Sequence, residues 1–305
     1  MTAERQPESR QDHLLIDRAS DDFPALLRGI PDAPTALYVD GNVDALHLPA
    51  LAIVGSRNPT RQGRQTAYDF ARHLGSCGFC IVSGLAQGID SAAHEGALDG
   101  GAMTIAFLGH GIEQVYPASN RDLAARIRKQ GALVSEFPPG ATPRREYFPQ
   151  RNRLISGQSL GTLVVEAARR SGSLITARLA SEQGREIFAI PGSIHNPLSR
   201  GCHLLIRQGA KLVEDASDII DELGPMVAHL AGMPDDAATT SPVVAERDPD
   251  YEMLLDAMGH DPASADDLSS RSGLTIGQVS SMLLILELEG EIEAQSGGRY
   301  SRLQQ

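Results

Sequence analysis

The sequence contains no apolar run that approaches the roughly 18 residues needed to cross a membrane. Its first 20 residues are polar and of mixed charge, and they lack the apolar segment of a secretory signal. Only three of the 305 residues are cysteines, an odd number in a chain long enough to fold without disulfides. We therefore expect a cytoplasmic protein without a membrane span.

Two of the three cysteines, Cys77 and Cys80, form a C-x-x-C motif. In redox proteins this motif follows a strand and lies at a helix N-terminus, which stabilises the thiolate. Here Cys77 follows a helical pattern and Cys80 begins a strand pattern. Because this order is reversed, the sequence favours plain buried cysteines over a redox site.

Complete motifs for cofactors and metals are also missing. The first strand of the central region ends in Gly55-Ser56-Arg57, with only one of the glycines of G-x-G-x-x-G, and no P-loop lysine is present. Asp90 and His94 lie one helical turn apart, but no second histidine completes a zinc-binding spacing, so a packing or capping pair is favoured. We predict neither a cofactor nor a metal.

Lysine is nearly absent, since Lys129 and Lys211 are the only two. Arginine supplies most of the positive charge and is concentrated in residues 51–213, which hold 19 Lys and Arg against 11 Asp and Glu. The whole chain nevertheless has a formal net charge of -12. A basic block is typical of a protein that binds a polyanion, and arginine suits forked phosphate contacts, although coding bias also explains an arginine excess.

In the same block, short β-branched runs alternate with helical patterns. Strands that are apolar on both faces and alternate with helices predict a parallel sheet covered on both sides. The predicted fold class is α/β, with a Rossmann-like doubly wound parallel sheet whose ligands bind at the carboxyl ends of the strands. A Gly, Pro and Ala-rich stretch then predicts a linker. Three helical patterns and a hairpin with Gly297-Gly298 at its tip predict a small C-terminal winged-helix domain.

We divide the chain into a polar tail (1–20), a Rossmann-like core (21–221), a linker (222–249) and a winged-helix domain (250–305). The predicted third helix of the last domain, Thr275 to Leu286, contains no Lys or Arg, and residues 250–305 hold 3 basic against 10 acidic residues. A helix that reads the major groove needs hydrogen-bond donors. We therefore favour a protein-contact or regulatory role for this domain.

The segment from Arg144 to Gly157 is basic and aromatic. It contains Arg144, Arg145, Arg151 and Arg153, with Tyr147 and Phe148 between them. Phosphate contacts beside an aromatic ring that can stack on an unpaired base suit single-stranded nucleic acid, whereas a core phenylalanine beside a solvated arginine face is the plain alternative. Loops after other strands add Arg57, the Ser83-Gly84 turn, and an anion nest in Ser171 to Ala177.

Several segments, in order from about Asp21 to Val213, resemble the bacterial DNA-processing protein A family (DprA, also called Smf). They are LAIVGSRNPT, IVSGLAQGIDSAAHEGAL, TIAFLGHGIEQVYPASNRDL, LVSEFPPG, FPQRNRLISG, LVVEAARRSGSLITARLASEQGREIFAIPGS and GCHLLIRQGA. The resemblance implies a non-enzymatic protein that binds single-stranded DNA through the core, protects incoming DNA, and forms a homodimer. It also implies that the protein helps to load the RecA recombinase during natural transformation and DNA recombination.

The resemblance further implies a set of DNA-binding residues, with Phe148 as the stacking residue. They are Gly55, Ser56, Arg57, Ser83, Gly84, Arg145, Phe148, Arg151, Asn152 and Arg153. The alternative is a Rossmann-like nucleotide-processing enzyme similar to phosphoribohydrolases. Those enzymes resemble one another in a P-G-G-x-G-T motif, which the segment PGSIHNP does not match.

Overall fold

The computed structural model describes residues 13–230, 249–258, 263–276, 278–279, 282–283, 286, 292–295 and 299–302. Contacts within the chain separate two compact units, residues 1–235 and 236–305. Among the helices in the described part of the chain, none has both the length and the apolar character of a membrane span.

The first unit is built on a nine-stranded sheet in the order β1-β2-β6-β5-β4-β3-β7-β8-β9. Strands β3 to β9 are parallel to one another, whereas β1 pairs antiparallel with β2 and β2 antiparallel with β6. The parallel region contains seven strands, in agreement with the predicted alternation of strands and helices. The strands are β1 (Leu14–Asp17), β2 (Ala36–Gly41), β3 (Ala50–Val54), β4 (Cys80–Ser83), β5 (Thr104–Phe107), β6 (Ala132–Ser135), β7 (Gly161–Val164), β8 (Glu186–Ala189) and β9 (Lys211–Leu212).

Helices cover both faces of this sheet. Alternate residues of β3 belong to different cores, since Leu51 and Ile53 pack on one face while Ala52 and Val54 pack on the other. The Rossmann-like α/β fold class predicted from the sequence is therefore confirmed. The helices are α1 (Ala25–Arg28), α2 (Arg61–Ser76), α3 (Ile89–Asp99), α4 (Arg121–Gln130), α5 (Tyr147–Gly157), α6 (Ser173–Glu182), α7 (Arg200–Arg207) and α8 (Ser217–Leu230).

Two predicted boundaries require correction. Strand β1 lies inside the segment predicted as a polar tail, because Ile16 is buried and the strand pairs with β2 from Leu14 to Asp17. Helix α8 continues into the predicted linker as far as Leu230. Its Leu223 is fully buried in the core, and this packing keeps the chain helical through a segment that contains Pro225.

The described residues of the second unit include two helices and a three-stranded antiparallel sheet in the order β10-β12-β11. The predicted hairpin is formed by β11 and β12, while Gly297-Gly298 and much of the predicted third helix lie outside the described residues. The N-terminus of α10 carries a capping box between Ser264 and Asp267. The elements are α9 (Pro249–Met258), β10 (Ala263–Ser264), α10 (Ala265–Ser272), β11 (Ile292–Gln295) and β12 (Arg299–Arg302).

Candidate functional site

The carboxyl ends of β3 and β7 border a cavity of about 810 Å³, which we call the switch cavity. The two strands are neighbours, but the chain leaves β3 toward β4 and returns to β7 only after β6, so the loops that follow them diverge. Open α/β sheets bind ligands at such a topological switch point. The residues that line the cavity include Ser56, Arg57, Asp90, Tyr116, Arg145, Phe148, Arg151, Asn152, Arg170, Ser171 and Ser173.

The loop between β3 and α2 presents Arg57 to the cavity. The side chain of Arg57 is exposed, and within the described residues it forms no ion pair. The loop is fixed by Glu166, which follows β7 and accepts hydrogen bonds from the backbone N and Oγ1 of Thr60, at 2.8 and 2.7 Å. Thr60 in turn caps α2 by accepting from the backbone N of Gly63. Arg57 is therefore a free cation on a rigid turn.

Arg151 is a buried cation on α5, with 4% of its surface exposed. Its Nη1 donates hydrogen bonds to the carbonyl oxygens of Gly84 and Phe107, at the ends of β4 and β5. A Cβ atom on Gly84 would lie 2.4 Å from Nη1, so a side chain at this position would displace the guanidinium of Arg151. Burial lowers the pKa of Arg151 to about 10, although Asp90 opposes the shift. The guanidinium is thus charged at neutral pH and joins two strand ends to α5.

Phe148 is half-buried and surrounded by a second aromatic ring and two guanidinium groups. Its ring centroid is 5.7 Å from that of Tyr116, at an angle of 46°, and Tyr116 is 51% exposed. The Cζ atoms of Arg57 and Arg151 lie 5.8 and 5.9 Å from the centroid of Phe148. One edge of the ring approaches Gly109, where a Cβ atom would lie 3.1 Å away. Phe148 is therefore both part of the cavity wall and an aromatic surface inside it.

The opposite wall of the cavity follows β7. Arg170, which follows β7, and Arg145, which precedes α5, are both exposed, and no ion pair involves either of them in the described part of the chain. Ser171 and Ser173 share a hydrogen bond of 2.7 Å at the beginning of α6, where the backbone N–H groups of Ser173, Leu174 and Ile175 already donate to Ser171 and Gly172. This part of the wall therefore offers Arg170 and two hydroxyl groups, and the anion nest predicted in Ser171 to Ala177 is wrong, because its helix-start N–H groups are already bonded.

The structure brings together most of the residues predicted from the sequence. Gly55, Ser56, Arg57, Arg145, Phe148, Arg151 and Asn152 line the switch cavity, and Gly84 lines a smaller cavity of about 80 Å³ beside it. Ser83 does not join them, because its buried Oγ donates to the carbonyl oxygen of Ile53.

Arg153 also lies outside this set. The periodicity of α5 places Phe148, Arg151 and Asn152 on one face and Arg153 on another. Arg153 instead forms an ion pair of 2.5 Å with Glu136, and the two side chains are 18% and 14% exposed. Burial raises the pKa of Glu136, while Arg153 opposes the shift.

Asp90 is the cavity residue whose place sequence reasoning misjudged. The sequence suggested a pair of Asp90 and His94, but His94 is fully buried and its Nδ1 lies 2.7 Å from Oγ1 of Thr104. Burial lowers the pKa of His94 to about 3, so its ring is neutral. Asp90 instead lines the cavity with Arg57 and Arg151.

Tyr116 and Arg170 were likewise not assigned to the site from the sequence. The signal available for both was their position in loops after predicted strands of the parallel sheet, because the carboxyl ends of these strands lie at one edge of the sheet.

Other candidate groups take no part in the cavity. Cys77 caps the C-terminus of α2 and is exposed, contrary to the prediction, whereas Cys80 is buried in β4 and burial raises its thiol pKa to about 12. Within the described residues no cluster of three or more His, Cys, Asp or Glu side chains is placed to hold a metal.

Comparison with known families gives two matches that together cover most of the chain. Residues 14–224 match the family described as DNA recombination-mediator protein A, and residues 237–298 match the DprA winged helix domain. The second match identifies the C-terminal unit as the predicted winged helix.

Curated relatives and solved structures agree with these matches. The chain is 44% identical to Protein Smf of Escherichia coli, over 95% of this chain and 78% of that protein. It is similar to the X-ray structure of DNA processing protein A from Streptococcus pneumoniae, with a TM-score of 0.67 and 45% identity over 70% of this chain and 75% of that one. A structure of the Helicobacter pylori protein, described as giving insight into its single-stranded DNA binding mode, has a TM-score of 0.61 and 31% identity over 66% of this chain and 92% of that one. The chain therefore belongs to the DprA/Smf family of DNA-processing proteins.

Proposed function

We propose that this protein binds single-stranded DNA in the switch cavity and acts on that DNA in recombination. The observation that carries the proposal is the composition of one cavity, which four arginines and two aromatic rings line with a single carboxylate. Cationic grooves with stacking aromatics are the common solution for binding single-stranded nucleic acid. The single-stranded DNA binding described for the Helicobacter pylori relative supports the same conclusion.

The cations of the cavity have two different tasks. Arg57, Arg145 and Arg170 are exposed, and among the described residues none of them has an acidic partner, so they are available to phosphates. Arg151 is buried and its Nη1 is bonded to two carbonyl oxygens, so it holds the strand ends in place and is not assigned to a phosphate. The ionic part of the affinity therefore comes from the three exposed arginines.

Phe148 and Tyr116 provide the surface for bases. An unpaired base can stack on Phe148, at about 1 to 3 kcal/mol per base. The bases of a duplex are already stacked on their neighbours and present no free face to the ring. The cavity is thus expected to prefer single strands over duplexes, with little dependence on the DNA sequence from stacking alone.

A salt titration of binding to single-stranded and duplex oligonucleotides of equal length tests this function. We expect tighter binding of the single strand and weaker binding of Arg57→Ala. Arg207→Ala is the matched control, because Arg207 is an exposed arginine at the C-terminal end of α7. Equal affinity for both DNA forms, or equal effects of the two substitutions, would contradict the proposal.

We further infer a protective and loading role from the family resemblance. The protein would act as a homodimer, shield incoming single strands, and help RecA to assemble on them during natural transformation. Sedimentation analysis tests the dimer. Loading is tested by the rate of RecA filament formation on DNA with and without this protein, and an unchanged rate would remove that part of the proposal.

We propose that this role involves no catalysis. The rival, a nucleotide-processing enzyme similar to phosphoribohydrolases, would release free base from nucleoside monophosphates. Incubation of the protein with each monophosphate, followed by chromatography, distinguishes the two, since we expect no released base.

A further inference from the structure

Asp90 is the one carboxylate in the wall of the switch cavity, and its charge is unfavourable for a phosphate. It is 8% exposed. Its Oδ2 accepts weak hydrogen bonds from the backbone N atoms of Gly84 and Ala86, at 3.2 and 3.4 Å. Within the described residues no group donates to Oδ1, and this oxygen is not sealed away from solvent. An acceptor is therefore left over in a buried position that opens on the cavity.

Arg151 presents the complementary group. Its Nη1 is used by the carbonyl oxygens of Gly84 and Phe107, whereas Nη2 donates to no acceptor in the described part of the chain and, like Oδ1 of Asp90, is not sealed from solvent. Arg151 also influences the charge of Asp90, although the two side chains do not approach within the 4.0 Å of an ion pair. A donor and an acceptor, each held by backbone contacts, thus face the same cavity.

The aromatic surface for a base lies next to this pair. The ring of Phe148 is 5.9 Å from Cζ of Arg151, and Phe148, Arg151 and Asp90 line the same cavity. A base stacked on Phe148 would therefore lie beside Arg151, in the cavity that Asp90 also lines. Phosphates remain with the exposed arginines, because a carboxylate repels them.

We propose that Asp90 and Arg151 read the edge of this base and select keto bases, thymine and guanine, over cytosine and adenine. In thymine the N3–H group is next to the O4 oxygen, and in guanine N1–H is next to O6. The N–H group would donate to Oδ1 of Asp90 and the keto oxygen would accept from Nη2 of Arg151. Cytosine and adenine instead offer a ring-nitrogen lone pair, which a carboxylate repels, beside an amino group, which a guanidinium repels.

This inference rests on the proposed function, and it adds a base preference to stacking that is otherwise tolerant of sequence. Two complementary hydrogen bonds to a base discriminate by about 1 to 3 kcal/mol, which corresponds to a preference of about 5- to 150-fold at a single site.

Oligo(dT) and oligo(dC) of equal length provide the test, since both are weakly stacking pyrimidine strands with the same backbone. We expect the wild-type protein to prefer oligo(dT) by at least about fivefold. An oligonucleotide of N3-methylthymidine, which has no N3–H group, should lose this advantage on the wild-type protein. This arm requires no variant and so does not depend on the folding of one.

Asp90→Asn provides the second arm. Asparagine can keep the bonds from Gly84 and Ala86 through its carbonyl oxygen, and its amide group then offers a donor where Oδ1 was. The ratio of oligo(dT) to oligo(dC) affinity should fall to about one or below, even if both affinities rise on loss of the negative charge. Asp99→Asn is the control, because Asp99 ends the same helix but does not line the cavity.

The outcomes separate the base preference from the proposed function. If wild-type protein binds both homopolymers equally, or if N3-methylation has no effect, the base preference is wrong while single-strand binding stands. If Asp90→Asn folds and retains the wild-type ratio, the role of Asp90 is wrong. If neither homopolymer binds, the proposed function itself fails.

Discussion

Separate substitutions at Arg57 and Phe148 should divide the binding energy of the switch cavity into an ionic and a stacking part. Each exposed arginine that contacts a phosphate displaces counterions, and for single strands this contributes about -0.7 to the slope of log K against log salt concentration. Three such arginines, Arg57, Arg145 and Arg170, give the cavity a slope of about -2.1. A fourfold rise in salt should then weaken binding about 18-fold.

Arg57→Ala should reduce this slope to about -1.4, so that the same rise in salt weakens binding only about sevenfold. Phe148→Ala should instead lower the affinity by about 1 to 3 kcal/mol at every salt concentration and leave the slope nearly unchanged, because stacking releases no counterions. Duplex affinity should hardly respond to the change at Phe148. Fluorescence anisotropy with a labelled oligonucleotide, measured between low and moderate salt, gives both quantities.

Phe148→Leu is the companion variant for Phe148→Ala, because leucine keeps apolar contact with Gly109 and Tyr116 while it removes the ring. If Phe148→Leu binds single strands like the wild type, the contribution of Phe148 is packing and the stacking argument is wrong. If Arg57→Ala and Phe148→Ala change the slope equally, the separation into ionic and stacking parts is wrong.

The other predictions concern titratable and charged groups other than the exposed arginines of the switch cavity. Arg153→Ala should lower the free energy of unfolding in urea by about 2 to 4 kcal/mol, because Glu136 is left unpaired. The folded variant should bind DNA normally. Reduced affinity without lost stability would instead show that Arg153 contacts the DNA. Burial lowers the pKa of His94 from 6.5 to about 3. The free energy of unfolding should therefore not depend on this group above pH 6.5, and below pH 6.5 it should fall by up to about 1.4 kcal/mol per pH unit. His94→Gln should flatten this dependence in urea titrations. Burial raises the pKa of Asp90, so its charge costs stability at neutral pH; Asp90→Asn should raise the melting temperature at pH 7, and this gain should vanish below the unfolded value of 3.8. Truncation after Asp235 removes an acidic segment, which is expected to repel DNA. The affinity for single strands, measured by anisotropy, should therefore stay equal or rise. A large loss of affinity would show that the winged helix contacts the DNA.

The parallel part of the sheet could be predicted because its strands are buried on both faces. Such strands appear in the sequence as continuous apolar runs, of which residues 50–54 are an example with every residue buried. Strand β1 is different, since Leu14 and Leu15 are about half exposed and only Ile16 is buried. Its existence depends on pairing with β2, a contact between segments about 20 residues apart that no local pattern shows.

The site was only partly predictable, because a loop pattern locates residues at the edge of the sheet without giving their direction. Arg151 and Arg153 are equivalent in a linear motif, yet on a helix a rotation of about 200° about the axis separates them, which puts them on nearly opposite sides. Arg151 therefore enters the cavity, and Arg153 reaches Glu136. Asp90, in contrast, lines the cavity although no sequence motif assigned it to the site. Its spacing from His94 suggested a pair, whereas the turn after β4 directs its carboxylate to the backbone of Gly84 and Ala86.

The arginines of the cavity differ in burial, and this difference separates Arg151, which is proposed to contact a base, from the exposed arginines, which are proposed to contact phosphates. A buried cation loses hydration, and the loss lowers the pKa of Arg151 to about 10 even though two carbonyl oxygens accept from it. A structural link between β4, β5 and α5 could be made by apolar side chains, which carry no such desolvation cost. A charge there, beside a buried carboxylate whose charge also lowers stability at neutral pH, is accounted for by a ligand that uses both groups. A base edge with one donor and one acceptor meets that requirement, and a phosphate does not, because it has no donor for Asp90.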